Sequence, residues 1–215
     1  MIQTPPNAAS RHQCLVYAGS PSQHLRSLAA VMKAKLRANV RCMYLNSPPM
    51  VAGIRSYLAT EGIDVAADSE AGRLVLSSDR GYLADGIFVP ATMLRVLEDT
   101  IVQALDDGYA GLWASGDMTW EFGPSADFSR LLEYELGLER LFGKYAELSG
   151  ICQYHTDLLP HAALLDGLTA HSHLFVNDTL SRINPYYMAR RLAERDSGGQ
   201  MDEFVRRLRG ESDEG

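Results

Sequence analysis

The feature that most constrains this chain is a regular exchange of two hydrophobic rhythms. Short β-branched or aromatic runs alternate with longer segments whose apolar residues recur at helical spacing. Cys14-Leu-Val-Tyr-Ala18 is a strand-like run ended by Gly19. Ser20-Pro21-Ser22-Gln23 then has the pattern of a capping box with proline at the first helical position. Leu25, Leu28, Ala29, Met32 and Leu36 follow on one helical face. Val40 to Asn46 reads as the next strand, and Pro48-Pro49 opens a helix with Val51, Ile54 and Leu58 inward, stopped by Gly62.

The pattern continues with a strand over Arg73 to Asp79 and a helix over Pro90 to Asp107, its face Met93, Leu94, Leu97, Ile101 and Leu105. A strand at Ala110 to Asp117 precedes a long helix from Asp127 to Leu148. Strands at Ile151 to His155 and His173 to Asn177 flank a helix near His161 to Leu168. Repeated β-α-β order predicts an α/β fold, a mainly parallel sheet with helices on both faces. Residues 1–10 read as a flexible N-terminus and 11–187 as the folded domain. Residues 188–215 read as a charged extension, with short helices at Met188 to Ala193 and Met201 to Leu208 and a tail.

Composition narrows the function. With 46% apolar and 22% charged residues, the 215-residue chain can bury a substantial core. A net charge of -7 opposes direct nucleic-acid binding, which draws most of its affinity from clustered Lys and Arg. No apolar run approaches the roughly twenty residues that cross a bilayer, and the start of the chain has no signal-peptide pattern. Three cysteines without C-x-x-C spacing argue against a disulfide framework. The expectation is a cytoplasmic protein.

Ligands of open parallel sheets bind beyond the carboxyl ends of the strands. Those ends supply Tyr17, Gly19, Asn46, Ser78, Asp79, Asp117, Tyr154, His155, Asn177 and Asp178. The first loop, Gly19-Ser-Pro-Ser-Gln-His24, lacks the lysine of a phosphate-binding P-loop, and Pro21 removes an amide donor. Asp117 ends an apolar strand as a Walker-B acid does, yet Met118 and Trp120 beside it suit a wall for a small organic ligand. Glu135 interrupts the apolar stripe Leu131, Leu138 and Phe142, so its carboxylate must be paired, hydrogen-bonded or protonated. The expected ligand-binding set is Tyr17, Asp117, Trp120, Glu135, Tyr154 and His155.

His12, Cys14, Cys152 and His171 are donors of the kind zinc or copper takes, and His12 and Cys14 share one side of a pleat. Against a metal, close pairs such as H-x-x-x-H are absent, and a thiol in an apolar run usually serves as a small hydrophobe. No cofactor is expected, with a metal ion at these residues the alternative. There is no nucleophile elbow and no evident Cys-His pair to suggest an enzyme.

His12-x-Cys14-x-x-Tyr17, Gly116-Asp117-Met118-x-Trp120, Tyr134-Glu135, Cys152-Gln153-Tyr154 and the late His171 occur in an order that resembles MEDS domains. These are sensory domains named after methanogens, methylotrophs and a dichloromethane-responsive regulator, and the resemblance runs from Arg11 to Tyr187. It implies a RecA- or KaiC-like frame with a degenerate P-loop. It also implies sensing of a simple hydrocarbon derivative and relay to a histidine kinase or transcription regulator. His155 and Trp113 depart from the family's usual residues. No helix-turn-helix or kinase module is legible, so a separate partner would supply the output. The segment after Tyr186, with Arg190, Arg191, Arg206 and Arg207, would dock that partner or a second copy as a homodimer. Two other classes fit the same residues: a nucleotide-binding protein or enzyme on the RecA-like scaffold, and an adapter that binds no small molecule.

Overall fold

The computed structural model describes residues 11–83, 85–124, 127–177, 180–184 and 187. The expected flexible N-terminus and the two C-terminal helices lie outside them. The strands are β1 (His12–Tyr17), β2 (Arg41–Leu45), β3 (Leu74–Ser77), β4 (Leu112–Asp117), β5 (Leu148–His155), β6 (His173–Asn177) and β7 (Leu180–Ile183). The helices are α1 (Leu25–Arg37), α2 (Pro48–Thr60), α3 (Val65–Glu70), α4 (Pro90–Asp106), α5 (Met118–Glu121), α6 (Leu131–Lys144) and α7 (His161–Ala170).

The strands form one sheet in the order β3-β2-β4-β5-β1-β6-β7. All pairs are parallel except β6–β7. The α/β expectation therefore holds, and its physical basis is visible in burial. Every residue of β2 is buried, as a strand covered on both faces requires. The core divides into two clusters, one per face. Leu15, Tyr17, Tyr44, Trp113 and Ile151 pack with α1 and α2 on one face. Cys14, Met43, Leu112, Cys152 and Tyr154 pack with α4, α6 and α7 on the other. Successive strand residues thus serve opposite cores.

Helix boundaries correct the sequence reading in two places. Ser20 does not cap a helix with its side chain; its Oγ lies 2.7 Å from Ser22 Oγ, Pro21–His24 is a 3-10 turn, and α1 begins at Leu25. The long helix expected from Asp127 to Leu148 is shorter at both ends. At its start, Asp127 Oδ1 accepts from Ser129 N in a local turn. At its end Tyr145 is extended, so Leu148 becomes the first residue of β5. Three short elements, α3, α5 and β7, lie below the length at which periodicity is readable. Asp64 and Asp117 start the two helices, each accepting from a backbone amide three residues on.

β1 and β5 are neighbours, yet β1 leads through α1 to β2 while β5 leads through α7 to β6, in opposite directions along the sheet. Such a reversal opens a crevice at the strand tips. The approach of β4 to β5 depends on Gly111, whose φ is 154° and whose missing side chain leaves room for the Glu147 carbonyl. Gly108, at φ 82° after α4, faces open space. Gly108→Ala should therefore cost about 1–2 kcal/mol from backbone conformation alone. Gly111→Ala should cost more, because overpacking of about 1–3 kcal/mol adds to it. Urea unfolding of the two variants measures the difference, and equal losses would contradict it.

Candidate functional site

At the tips of β1 and β4, the Tyr17 hydroxyl donates to Asp117 Oδ2 at 2.6 Å. Asp117 Oδ1 accepts from the Trp120 amide at 3.1 Å and from Thr119 Oγ1. Burial, and then the Asp117 charge, raise the Tyr17 phenol, so it remains a donor. His155 ties the first loop to β5. Its Nε2 lies 2.8 Å from the Gly19 carbonyl, which can only accept, so Nε2 carries the proton. Its Nδ1 accepts from the Asp157 amide. The Gly19 amide in turn donates to Asp157 Oδ2 at 2.8 Å. Asn46 donates to Tyr44, and Gln153 to Ser115. The tips on the α1 face are laced together by polar side chains.

A second polar group lies on the opposite face, inside the apolar core. The helical stripe of α6 turns Glu135 inward, where it is 0% exposed. β1 brings His12, β5 brings Cys152 and Tyr154, and the chain leaving α7 brings His171. Glu135 Oε2 stands 3.4 Å from His12 Nε2, 3.5 Å from His171 Nε2 and 3.8 Å from Cys152 Sγ. Cys152 Sγ is 3.5 Å from His12 Nε2. The Tyr154 hydroxyl donates to Glu135 Oε1. Outside this ring, His12 Nδ1 meets Glu139 Oε2 at 2.8 Å, and Glu139 Oε1 accepts from Tyr187 at 2.7 Å. Phe142 stacks on the His12 ring at 4.4 Å.

Charge follows from these contacts. Burial pushes the Glu135 carboxyl up, but His171, His12 and the Tyr154 hydroxyl pull it down further, leaving a net fall. Burial opposes a charge on His12, yet its bonds to Glu135 and Glu139 outweigh that and raise it. His171 is lowered to about 4, first by burial and then by the His12 charge. Cys152 is raised by burial and by the Glu135 charge. These directions agree on a charged Glu135, a protonated His12 and a Cys152 thiol.

The structure distributes the expected ligand set over both faces of the sheet. Tyr17, Asp117 and His155 belong to the α1 face, whereas Glu135, Tyr154 and Trp120 belong to the α6 face. Tyr154 and His155 are consecutive in β5, so their side chains must point to opposite sides. Trp120 is core, with the Arg80 guanidinium 4.6 Å above its ring. Of the four expected metal donors, His12, Cys152 and His171 meet, and Glu135 joins them where Cys14 was expected. Cys14 is buried on the same face, opposite Cys152 in register, outside that group. Glu139 escaped the sequence reading, although it lies one helical turn after Glu135 and so shares its face.

Beside this polar group, between the sheet and α4–α6, is a cavity of about 30 Å³. Met43, Met93, Leu97, Met118 and Leu138 line it, with Cys152 on the wall it shares with the polar group. Its acid is Glu121, also unread in the sequence, which packs where Gly116 has no side chain; a Cβ there would overlap the carboxyl. Burial, then the charges of Glu135 and Asp117, raise Glu121 well above the ordinary value of a glutamate, which favours its protonated form. Tyr134 contacts it from α6 at 3.4 Å.

The family model described as MEDS, MEthanogen/methylotroph, DcmR Sensory domain, matches residues 11–172. The matched span takes in both His12 and His171. No curated protein matches the chain.

The Tyr17–Asp117 bond yields a direct test. Tyr17→Phe leaves the ring in place and removes one donor from a buried carboxylate, at a cost of about 1–3 kcal/mol. In Asp117→Asn the same substitution should cost less, because the charge that needs the donor is gone. A double-mutant cycle read by thermal unfolding would show this coupling; additive losses would rule it out.

Proposed function

The chain belongs to the MEDS family of sensory domains, and from that premise we propose that it binds a small, largely apolar organic molecule in the cavity between the sheet and α4–α6. The observation that carries this reading is an apolar lining with the buried Glu121 carboxyl at one side. Apolar walls favour a hydrocarbon-like body, and a protonated Glu121 can donate one hydrogen bond to a polar end. The volume suits a molecule of few non-hydrogen atoms, since a water needs roughly 10–15 Å³ on the same measure.

The output route runs through α5. Met118 and Glu121 face the cavity, while Asp117, which caps the same turn, holds Tyr17 on the opposite face. A ligand that displaces α5 would shift Asp117 and the strand tips with it. It does so only to the extent that it binds one arrangement better than the other. The expected receiver is a separate protein, a histidine kinase or transcription regulator, in the cytoplasm. No helix among the described residues is long and apolar enough to cross a membrane. The frame reads as RecA- or KaiC-like with its phosphate cradle given up: Asp157 takes the Gly19 amide and would repel a phosphate.

Thermal unfolding with a series of one- to four-carbon haloalkanes and alcohols tests the proposal. A binder at a hundredfold its Kd should stabilise the fold by about 2.7 kcal/mol. Ala114→Leu, which projects into the cavity, should abolish that gain while leaving a cooperative transition. If the gain persists in Ala114→Leu, or only magnesium-ATP stabilises the protein, the reading fails.

A further inference from the structure

We propose that His12, Cys152, His171 and Glu135 form a tetrahedral transition-metal site, with zinc the ion that fits it best. This assignment is independent of the organic-ligand reading. Its first support is spacing. Zinc bonds of about 2.0–2.1 Å to nitrogen, 2.0–2.2 Å to oxygen and 2.3 Å to sulfur place tetrahedral ligand atoms about 3.3–3.6 Å apart. In the structure the separations are 3.4 Å for His12 Nε2–Glu135 Oε2, 3.5 Å for His171 Nε2–Glu135 Oε2, 3.5 Å for His12 Nε2–Cys152 Sγ and 3.8 Å for Cys152 Sγ–Glu135 Oε2. All four donor atoms lie within 4.8 Å of one another.

The second support is the tautomer of His171. Its Nδ1 lies 2.7 Å from the Gly167 carbonyl, which only accepts, so in the neutral ring the proton is on Nδ1. Nε2 then presents a lone pair, fully buried and without a hydrogen-bond partner. Its neighbour at 3.5 Å is a carboxylate oxygen, another lone-pair donor. Two such atoms facing each other in a fully buried core lack what would join them, and a cation between them supplies it.

The third support is the surrounding shell. Metal-bound histidines commonly donate their second nitrogen to a carboxylate or a backbone carbonyl, which fixes the ring and raises its basicity. Here Glu139 takes His12 Nδ1 and the Gly167 carbonyl takes His171 Nδ1, while the Tyr154 hydroxyl holds the other oxygen of Glu135. Charge also balances. A divalent ion, one thiolate and one carboxylate sum to zero with two neutral imidazoles. Loading the site sends the protons of Cys152 and His12 to solvent.

The test uses the full chain, stripped with a chelator and titrated with cobalt(II), then with zinc. The site predicts one equivalent of cobalt with the intense visible bands of a tetrahedral ion, a sulfur-to-cobalt charge-transfer band, and displacement by zinc. Cys152→Ser should remove the charge-transfer band and Cys14→Ser should leave it. Glu139→Gln, which spares every ligand, should weaken affinity about 10–100-fold. Circular dichroism of each stripped variant separates loss of binding from loss of fold. Should a ligand variant fail to fold, Glu139→Gln carries the decision. A folded wild type that binds no cobalt, weak octahedral bands, dependence on Cys14 instead of Cys152, or unchanged affinity in Glu139→Gln would each overturn the assignment.

Discussion

Burying the Glu135 carboxylate costs several kcal/mol unless partners offset it, and the groups around it come from three places in the chain. His12 on β1, Tyr154 and Cys152 on β5, and His171 after α7 converge on one residue of α6. An apolar residue at that position would pack α6 against the sheet in several neighbouring registers. A carboxylate accepts only the register in which its oxygens are met. The geometry of the α6 face, including the cavity beside Cys152, follows from that restriction.

The opposite face obeys a different logic. There the polar groups sit at the strand tips and bond pairwise, Tyr17 to Asp117 and His155 to Gly19. Because neighbouring residues on a strand alternate sides, each of β1, β4 and β5 contributes to both faces. β4 gives Asp117 to one, while Gly116 on the other makes room for Glu121. The sheet is thus a shared wall, and α5, with Asp117 capping its start and Glu121 at its end, passes over the tip of β4 from one face to the other.

The sequence rendered some of this legible and hid the rest for identifiable reasons. Amphipathic spacing located α1, α2 and α4, whose inward residues Leu28, Ile54 and Ile101 are all buried. It also exposed Glu135 as a charge in an apolar stripe. Donor chemistry picked out His12, Cys152 and His171. That they meet depends on β1 lying beside β5, a fact of strand order that no local periodicity carries. The choice of Cys14 over Glu135 as their companion came from pleat geometry within one strand, without the helix that lies across it. Tyr154 and His155, read together as strand-end residues, lie on opposite faces because side chains alternate along β5.

His12 and Cys152 are separated by 140 positions, and His12 and Glu139 by 127. Closing loops of that length is entropically slow, and contacts so distant in sequence form late on a folding path. During synthesis, a chain that has emerged only as far as β5 already holds the sheet's centre but has no His171 to finish the group around Glu135. The buried carboxylate therefore acts as a clasp between the first strand and the final turns of the matched region. Partly made chains would hold Glu135 with His12 and Tyr154 alone and leave open the side of the group that His171 closes.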